Sequence, residues 1–169
     1  MPTDWAMVYR ESFQDLVGFL YRKVWDSDRA LDLAQEAFAR ALSTDPAQPR
    51  AWVFTIAANL ARDEARTEIR RKKHLALIKD DDVAMPTAAP DPQREMESRE
   101  RDAGVRAALD RLSERDREVL LLWQAGLSYG EIAQQTGLSV GAIGTTLARA
   151  RKRLVEAYNS MEHDDVARG

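Results

Sequence analysis

Residues 128–154 read SYGEIAQQTGLSVGAIGTTLARARKRL, and the fold turns on how this stretch is punctuated. Ser128 and Glu131 stand three residues apart, the spacing at which a serine side chain and a glutamate side chain cap each other's exposed amides at a helix start. Gly137 follows after about two turns and predicts a helix end in the left-handed conformation that glycine tolerates. Ser139 then stands where it would cap a second helix. Ile132, Ala133, Leu138, Ile143 and Leu147 are spaced to form one small core between two crossing helices, the helix-turn-helix plan. In that plan the first helix lies across a DNA backbone, and the N-terminal half of the second meets base edges. Arg149, Arg151, Lys152 and Arg153 would then reach phosphates or outer bases.

Working upstream, Ser113 is placed to cap LSERDREVLLLWQAG with Asp116 at the third helical position and Gly126 to end the helix. A further helix is expected around Val105–Leu112. Before it, DDDVAMPTAAPDPQREMES (80–98) has too little apolar surface to offset the entropy of ordering it, and it reads as an extended linker. Its Asp80, Asp81 and Asp82 lack further ligands at suitable spacing, so a solvated acidic turn is expected there and no metal. The N-terminal part shows apolar residues at helical spacing and no alternating strand pattern. A helix from about Asp4 to Trp25 would bury Phe13, Leu16, Val17, Leu20, Tyr21 and Val24. A second, to about Leu42, would turn Leu31, Ala34, Phe38 and Ala41 inward, and after a two-proline break a third, from about Pro49 to Lys73, would bury Trp52, Ile56, Ala57 and Leu60. The expected fold is all-α: a helical domain over 1–78, a linker over 79–99, a helix-turn-helix domain over 100–161 and a tail over 162–169.

Composition narrows the function. The chain has no cysteine, which excludes disulfides, thiolate metal sites and a cysteine nucleophile, and its two histidines, His74 and His163, are far apart beside no obvious partners. No catalytic residue, metal or cofactor is expected. No apolar run approaches membrane-spanning length, and the opening MPTDWAMVYR lacks a basic start before an apolar stretch, so a cytoplasmic protein is expected. The net charge of −3 conceals an alternation. Residues 50–75 hold seven basic and three acidic groups and residues 138–154 four basic and none acidic, whereas 1–49 and 79–102 are acidic. DNA affinity depends on the face that neutralises phosphate, so a weakly acidic chain can bind through two such patches.

Two faces of the N-terminal part stand out. Asp32, Gln35 and Glu36 cluster away from the expected apolar stripe of their helix. Asn59, Arg62 or Asp63, Arg66 and Arg70 recur every three or four residues as a polar, basic strip. With these residues in view, DLAQEAF (32–38) is similar to the D-x-x-Q-E-x-F signature of the extracytoplasmic-function sigma factors of bacterial RNA polymerase. RAWVFTIAANLARDEARTEIRR (50–71) resembles their A-W-L-x-x-I-A-x-N-x-x-x-D-x-x-R pattern, and SYGEIAQQTGLSVGAI (128–143) their S-Y-x-E-I-A-x-x-x-x-x-S-V-G-T-V pattern. The three occur in order across nearly the whole chain.

The resemblance implies a promoter-specificity subunit and not an enzyme. Asp32, Gln35 and Glu36 would dock on the clamp helices of the largest polymerase subunit, with the flap region as a second polymerase contact. Asn59, Arg62, Asp63, Arg66, Arg70 and Arg71 would follow the minus-10 DNA, with the loop 43–50 receiving an extruded base. Ser139, Thr145, Thr146, Arg149, Arg151 and Lys152 would meet the minus-35 element. An anti-sigma protein is the further partner the resemblance implies. After SVGAI the chain departs from its relatives, which commonly show K/R-S-R-L where this chain has Gly144, Thr145, Thr146 and Leu147. From the C-terminal residues alone, a free-standing regulator stays open as well: LSERDREVL also resembles the entry to the DNA-binding domain of LuxR-type regulators.

Overall fold

The computed structural model describes residues 1–77 and 92–168. Among these every regular element is a helix: α1 (Trp5–Val24), α2 (Ser27–Ala41), α3 (Pro49–Leu77), α4 (Pro92–Asp110), α5 (Glu114–Gln124), α6 (Tyr129–Thr136) and α7 (Val140–Arg168). The Asp80–Asp82 cluster lies outside the described residues.

Local chemistry sets the joints. The Asp4 side chain accepts the Met7 amide and Asp26 that of Arg29, both at 3.1 Å, capping α1 and α2. Between these caps Trp25 takes a left-handed conformation (φ 56°) that closes the corner, its amide donating to the Tyr21 carbonyl at 2.7 Å. Pro49 opens α3, where a missing N–H costs nothing.

The first three helices pack on one another. Four alanines of α2, Ala30, Ala34, Ala37 and Ala41, are fully buried and let the helices approach closely around Leu16, Leu20, Val53 and Phe54. Tyr9, Phe13 and Phe38 close one end, with Tyr9 4.5 Å from Phe13 and 5.0 Å from Phe38 between ring centroids. The buried stripe of α2 differs by one position from the expected one. Ala30, Leu33 and Ala37 join Ala34, Phe38 and Ala41 inside, and Leu31 is 41% exposed. Both phases satisfy a helical period, and what decides between them is the row of small residues that fits against two neighbouring helices. Trp52 likewise lies outside the core, 38% exposed, while Ala51, Val53, Phe54, Ala57, Leu60 and Ala61 are buried.

In the C-terminal half α4 begins at Pro92, inside the segment expected to be an extended linker. PQREMESRERD (92–102) is poor in apolar residues but rich in strong helix formers, and proline suits a first turn. Here α4 packs along the far end of α7, which continues through the expected tail to Arg168. Leu109, Leu112, Val119, Leu122, Ile132, Ile143, Leu147 and Ala150 fill the core among α4–α7. The two halves touch, α5 lying against α1 and α6 against α3. No helix among the described residues is long and apolar enough to cross a membrane.

Candidate nucleic-acid and polymerase interface

The helix-turn-helix is built by the rules its sequence follows. Ser128 Oγ accepts the Glu131 amide at 3.1 Å while Glu131 Oε1 accepts the Ser128 amide at 2.9 Å, and Gly137 ends α6 at φ 75°. Ile132, Ala133, Ile143 and Leu147 are buried, with Leu138 packed at their edge. This orients α7 with Ser139, Val140, Gly141, Thr145, Arg149, Arg151 and Lys152 exposed. Thr146 instead faces the interior, 6% exposed, because it shares the inner side of α7 with Ile143, Leu147 and Ala150. A side chain at Gly144 would meet only ordinary contact, 3.6 Å from the Tyr129 ring.

Behind α7 stands a charged layer whose pairing sequence reasoning missed. Asp116 is fully buried, and its carboxylate accepts from Arg149 Nη2 at 2.8 Å and Nε at 3.3 Å and from Arg153 Nη1 at 3.3 Å. The hydrogen-bonded Arg149, with Arg153 adding its charge, holds the Asp116 carboxyl below its ordinary range against the opposing effect of burial. Arg151 lies over the Trp123 ring at 3.8 Å. Both anchors belong to α5, so three cations of α7 are held from behind by one helix.

On α2, Asp32, Gln35 and Glu36 are all exposed beside the exposed Leu31. Asp32 meets Arg29 at 3.5 Å and Glu36 meets Arg40 at 2.5 Å, both at the surface. Arg29 is anchored independently, donating from Nε to Glu64 of α3 at 2.8 Å. On α3, Asn59, Arg62, Asp63, Arg66, Arg70 and Arg71 are exposed, and Asn59 Oδ1 accepts from Arg62 Nη1 at 3.3 Å.

The loop before α3 is held by residues with no evident role in the sequence. Thr3 donates from its amide (2.9 Å) and hydroxyl (2.5 Å) to Asp45 Oδ1. Trp5 Nε1 donates to the Thr44 carbonyl at 3.2 Å and Trp52 Nε1 to Thr44 Oγ1 at 3.0 Å. The exposed Trp52, from the first turn of α3, thus braces the loop and not the core. Only its indole N–H, which needs an acceptor wherever it sits, gave any sign of this.

Between the halves runs a cleft of about 700 Å³ with Asn59 and Arg62 on one side and Glu114, Arg115 and Glu118 on the other. Polar contacts bridge it. Lys23 pairs with Glu118, and Tyr21 donates to Asp102, which raises the Tyr21 pKa mainly through that hydrogen bond. Gln135 Nε2 donates to the Ala51 carbonyl at 2.8 Å, and Arg50 reaches both Asp15 at 3.1 Å and the Ala125 carbonyl.

Residues 8–71 match the family described as Sigma-70 region 2 and residues 103–154 that described as Sigma-70, region 4. The chain is 34% identical to the ECF RNA polymerase sigma factor EcfG of Rhodopseudomonas palustris, over 85% of this chain and 81% of that one. It is 29% identical to the RNA polymerase sigma factor YlaC of Bacillus subtilis over 87% of each. Among solved structures it resembles the sigma factor RpoE of Bartonella quintana, crystallised with the anti-sigma factor NepR (TM-score 0.64, 25% identity, 92% of this chain and 97% of that one). The fold is also that of CnrH in complex with the cytosolic domain of CnrY (TM-score 0.65, 23% identity, 92% and 88%).

Proposed function

The chain belongs to the extracytoplasmic-function sigma factors of the sigma-70 family, the promoter-specificity subunits of bacterial RNA polymerase, and from that premise we propose how its surfaces divide the work. Residues 1–78 act as region 2 and 100–161 as region 4. Asp32, Gln35 and Glu36, with Leu31 beside them, form the polymerase-docking face on the clamp helices. The α3 strip of Asn59, Arg62, Asp63, Arg66, Arg70 and Arg71 follows the minus-10 DNA. The exposed side chains of α7, from Ser139 and Thr145 to Arg149, Arg151 and Lys152, meet the minus-35 element, and Thr146 supports that helix from within.

The observation that carries this division is the separation of charge on neighbouring helices. The α2 face, where Asp32 and Glu36 are matched by Arg29 and Arg40, offers phosphate no net positive charge and is suited to a protein, while the adjacent α3 presents exposed cations suited to phosphate. Unstacking a base costs a few kcal/mol, and opening is favoured where the separated strand is captured on a positively charged, shaped surface. The α3 strip and the loop ordered by Thr3, Trp5 and Trp52 supply such a surface, with no catalytic step by this chain. The relative crystallised with the anti-sigma factor NepR supports an anti-sigma partner for this chain too.

A comparison of DNA binding with and without polymerase tests the assignment. The chain with core polymerase should form salt-resistant complexes on promoter fragments, and the chain alone should bind duplex weakly. Tight, sequence-specific duplex binding by the free chain, with no association with core polymerase, would favour a free-standing regulator.

A further inference from the structure

Asp116 sits at the third position of α5, fully buried, between the start of that helix and the stretch of α7 that carries Arg149 and Arg153. A carboxylate in such a place is costly unless paired, and apolar replacements of buried ion pairs are often as stable, so stability alone gives weak grounds for it. Its partners are distinctive. Arg149 and Arg153 lie one turn apart on α7 and keep 47% and 55% of their side chains exposed. Asp116 takes two of the five N–H donors of Arg149, on the Nε and Nη2 side, and one donor of Arg153, so both guanidinium groups are tethered at one edge and keep donors directed outward.

We propose that Asp116 is a positioning residue for promoter recognition: it fixes the angle at which Arg149 and Arg153 present their remaining donors to DNA. The proposal rests on the reading of α7 as the minus-35 reader and extends it to a residue that touches no DNA. Arginine side chains carry large rotamer entropy, and holding them at one edge before binding lowers what must be ordered on contact. Removing the carboxylate has two opposed effects. The face gains one unit of positive charge, which strengthens attraction to any phosphate backbone, and the two cations lose their orientation, which weakens recognition of a particular site.

The test uses two DNA probes: a short duplex carrying the minus-35 site preferred by the wild-type holoenzyme in start-site mapping, and a duplex of the same composition with that site scrambled. For Asp116→Asn the proposal expects binding to the preferred duplex to weaken roughly tenfold and binding to the scrambled duplex to stay equal or tighten. Adding Arg149→Gln to the Asp116→Asn variant should cost less than the same change in the wild type. If both duplexes weaken together along with the melting temperature, Asp116 is structural only. If both tighten together, it merely neutralises charge, and either result overturns the proposal. Should Asp116→Asn not fold, Asp116→Glu retains the charge but displaces the tether by a methylene. It should lower the preference for the correct duplex at unchanged affinity for the scrambled one, and an unchanged preference would overturn the proposal. Failure of the wild-type holoenzyme to choose any site would instead refute the assignment of function, a result separable from any behaviour of the variants.

Discussion

Reversing two charges on α2, Asp32→Lys with Glu36→Lys, separates the docking role of that face from its contribution to the fold. Among the described residues each carboxylate has a surface partner, Arg29 at 3.5 Å and Arg40 at 2.5 Å. Exposed pairs of this kind contribute about 0.2–1 kcal/mol each. Arg29 keeps its separate anchor on Glu64 after the change, and the buried side of α2, from Ala30 to Ala41, is untouched. The melting temperature should therefore move by a few degrees at most. Across a charge-complementary interface the same reversal replaces attraction by repulsion, which costs several kcal/mol. Taking roughly 3 kcal/mol for the pair, affinity for core polymerase should fall about 100-fold. Fluorescence anisotropy of labelled chain titrated with core polymerase, at low and high salt, reads this directly, and the deficit should shrink as salt rises. A variant that melts like the wild type and binds within about threefold of it would refute the assignment of the face.

Three further outcomes follow from the geometry. Ser128→Ala removes half of the reciprocal cap of α6 and should lower stability by about 1 kcal/mol in thermal or urea unfolding, with no change if the cap is immaterial. Lys23→Glu sets two carboxylates against each other across the cleft, so the two halves should move apart in small-angle scattering; adding Glu118→Lys should restore the wild-type profile, and a single variant indistinguishable from wild type would show that this pair does not hold the halves together. Asp116 has a folded pKa below its ordinary value, through Arg149 first and then Arg153, so its contribution is fully present above the ordinary carboxyl range, about pH 4, and disappears as pH falls through the folded value. Acid unfolding should accordingly be shallower for Asp116→Asn than for the wild type, and parallel curves would contradict the pairing.

What the sequence disclosed was whatever depends on a few neighbouring residues. The Ser113 and Ser128 caps, the glycine end at Gly137 and the small core from Ile132 to Leu147 obey short-range rules, and all are visible without a fold. The phase of α2 was hidden because Leu31 and Leu33 serve a helical period equally well until Ala30 and Ala37 are seen pressed against α1 and α3. Trp52 was misjudged for a similar reason: its place on an apolar stripe outweighed the need of its indole N–H for an acceptor, met by Thr44. At α4, prolines and acidic residues suggested a loop, although Gln, Arg, Glu and Met between them favour a helix. Asp116 was legible as a capping-turn residue and illegible as a buried anion, since Arg149 and Arg153 lie over thirty residues away. The same holds for Arg50, whose partners Asp15 and Ala125 come from both halves of the chain.

The most direct measurement of the central claim is the mapping of RNA start sites made by purified core polymerase on a genomic DNA library, with and without this chain. Adding it should concentrate initiation at a limited set of positions that share upstream sequence at two separated elements, and charge reversal at Asp32 and Glu36 should abolish that set. Start sites that are the same with and without the chain would contradict the account.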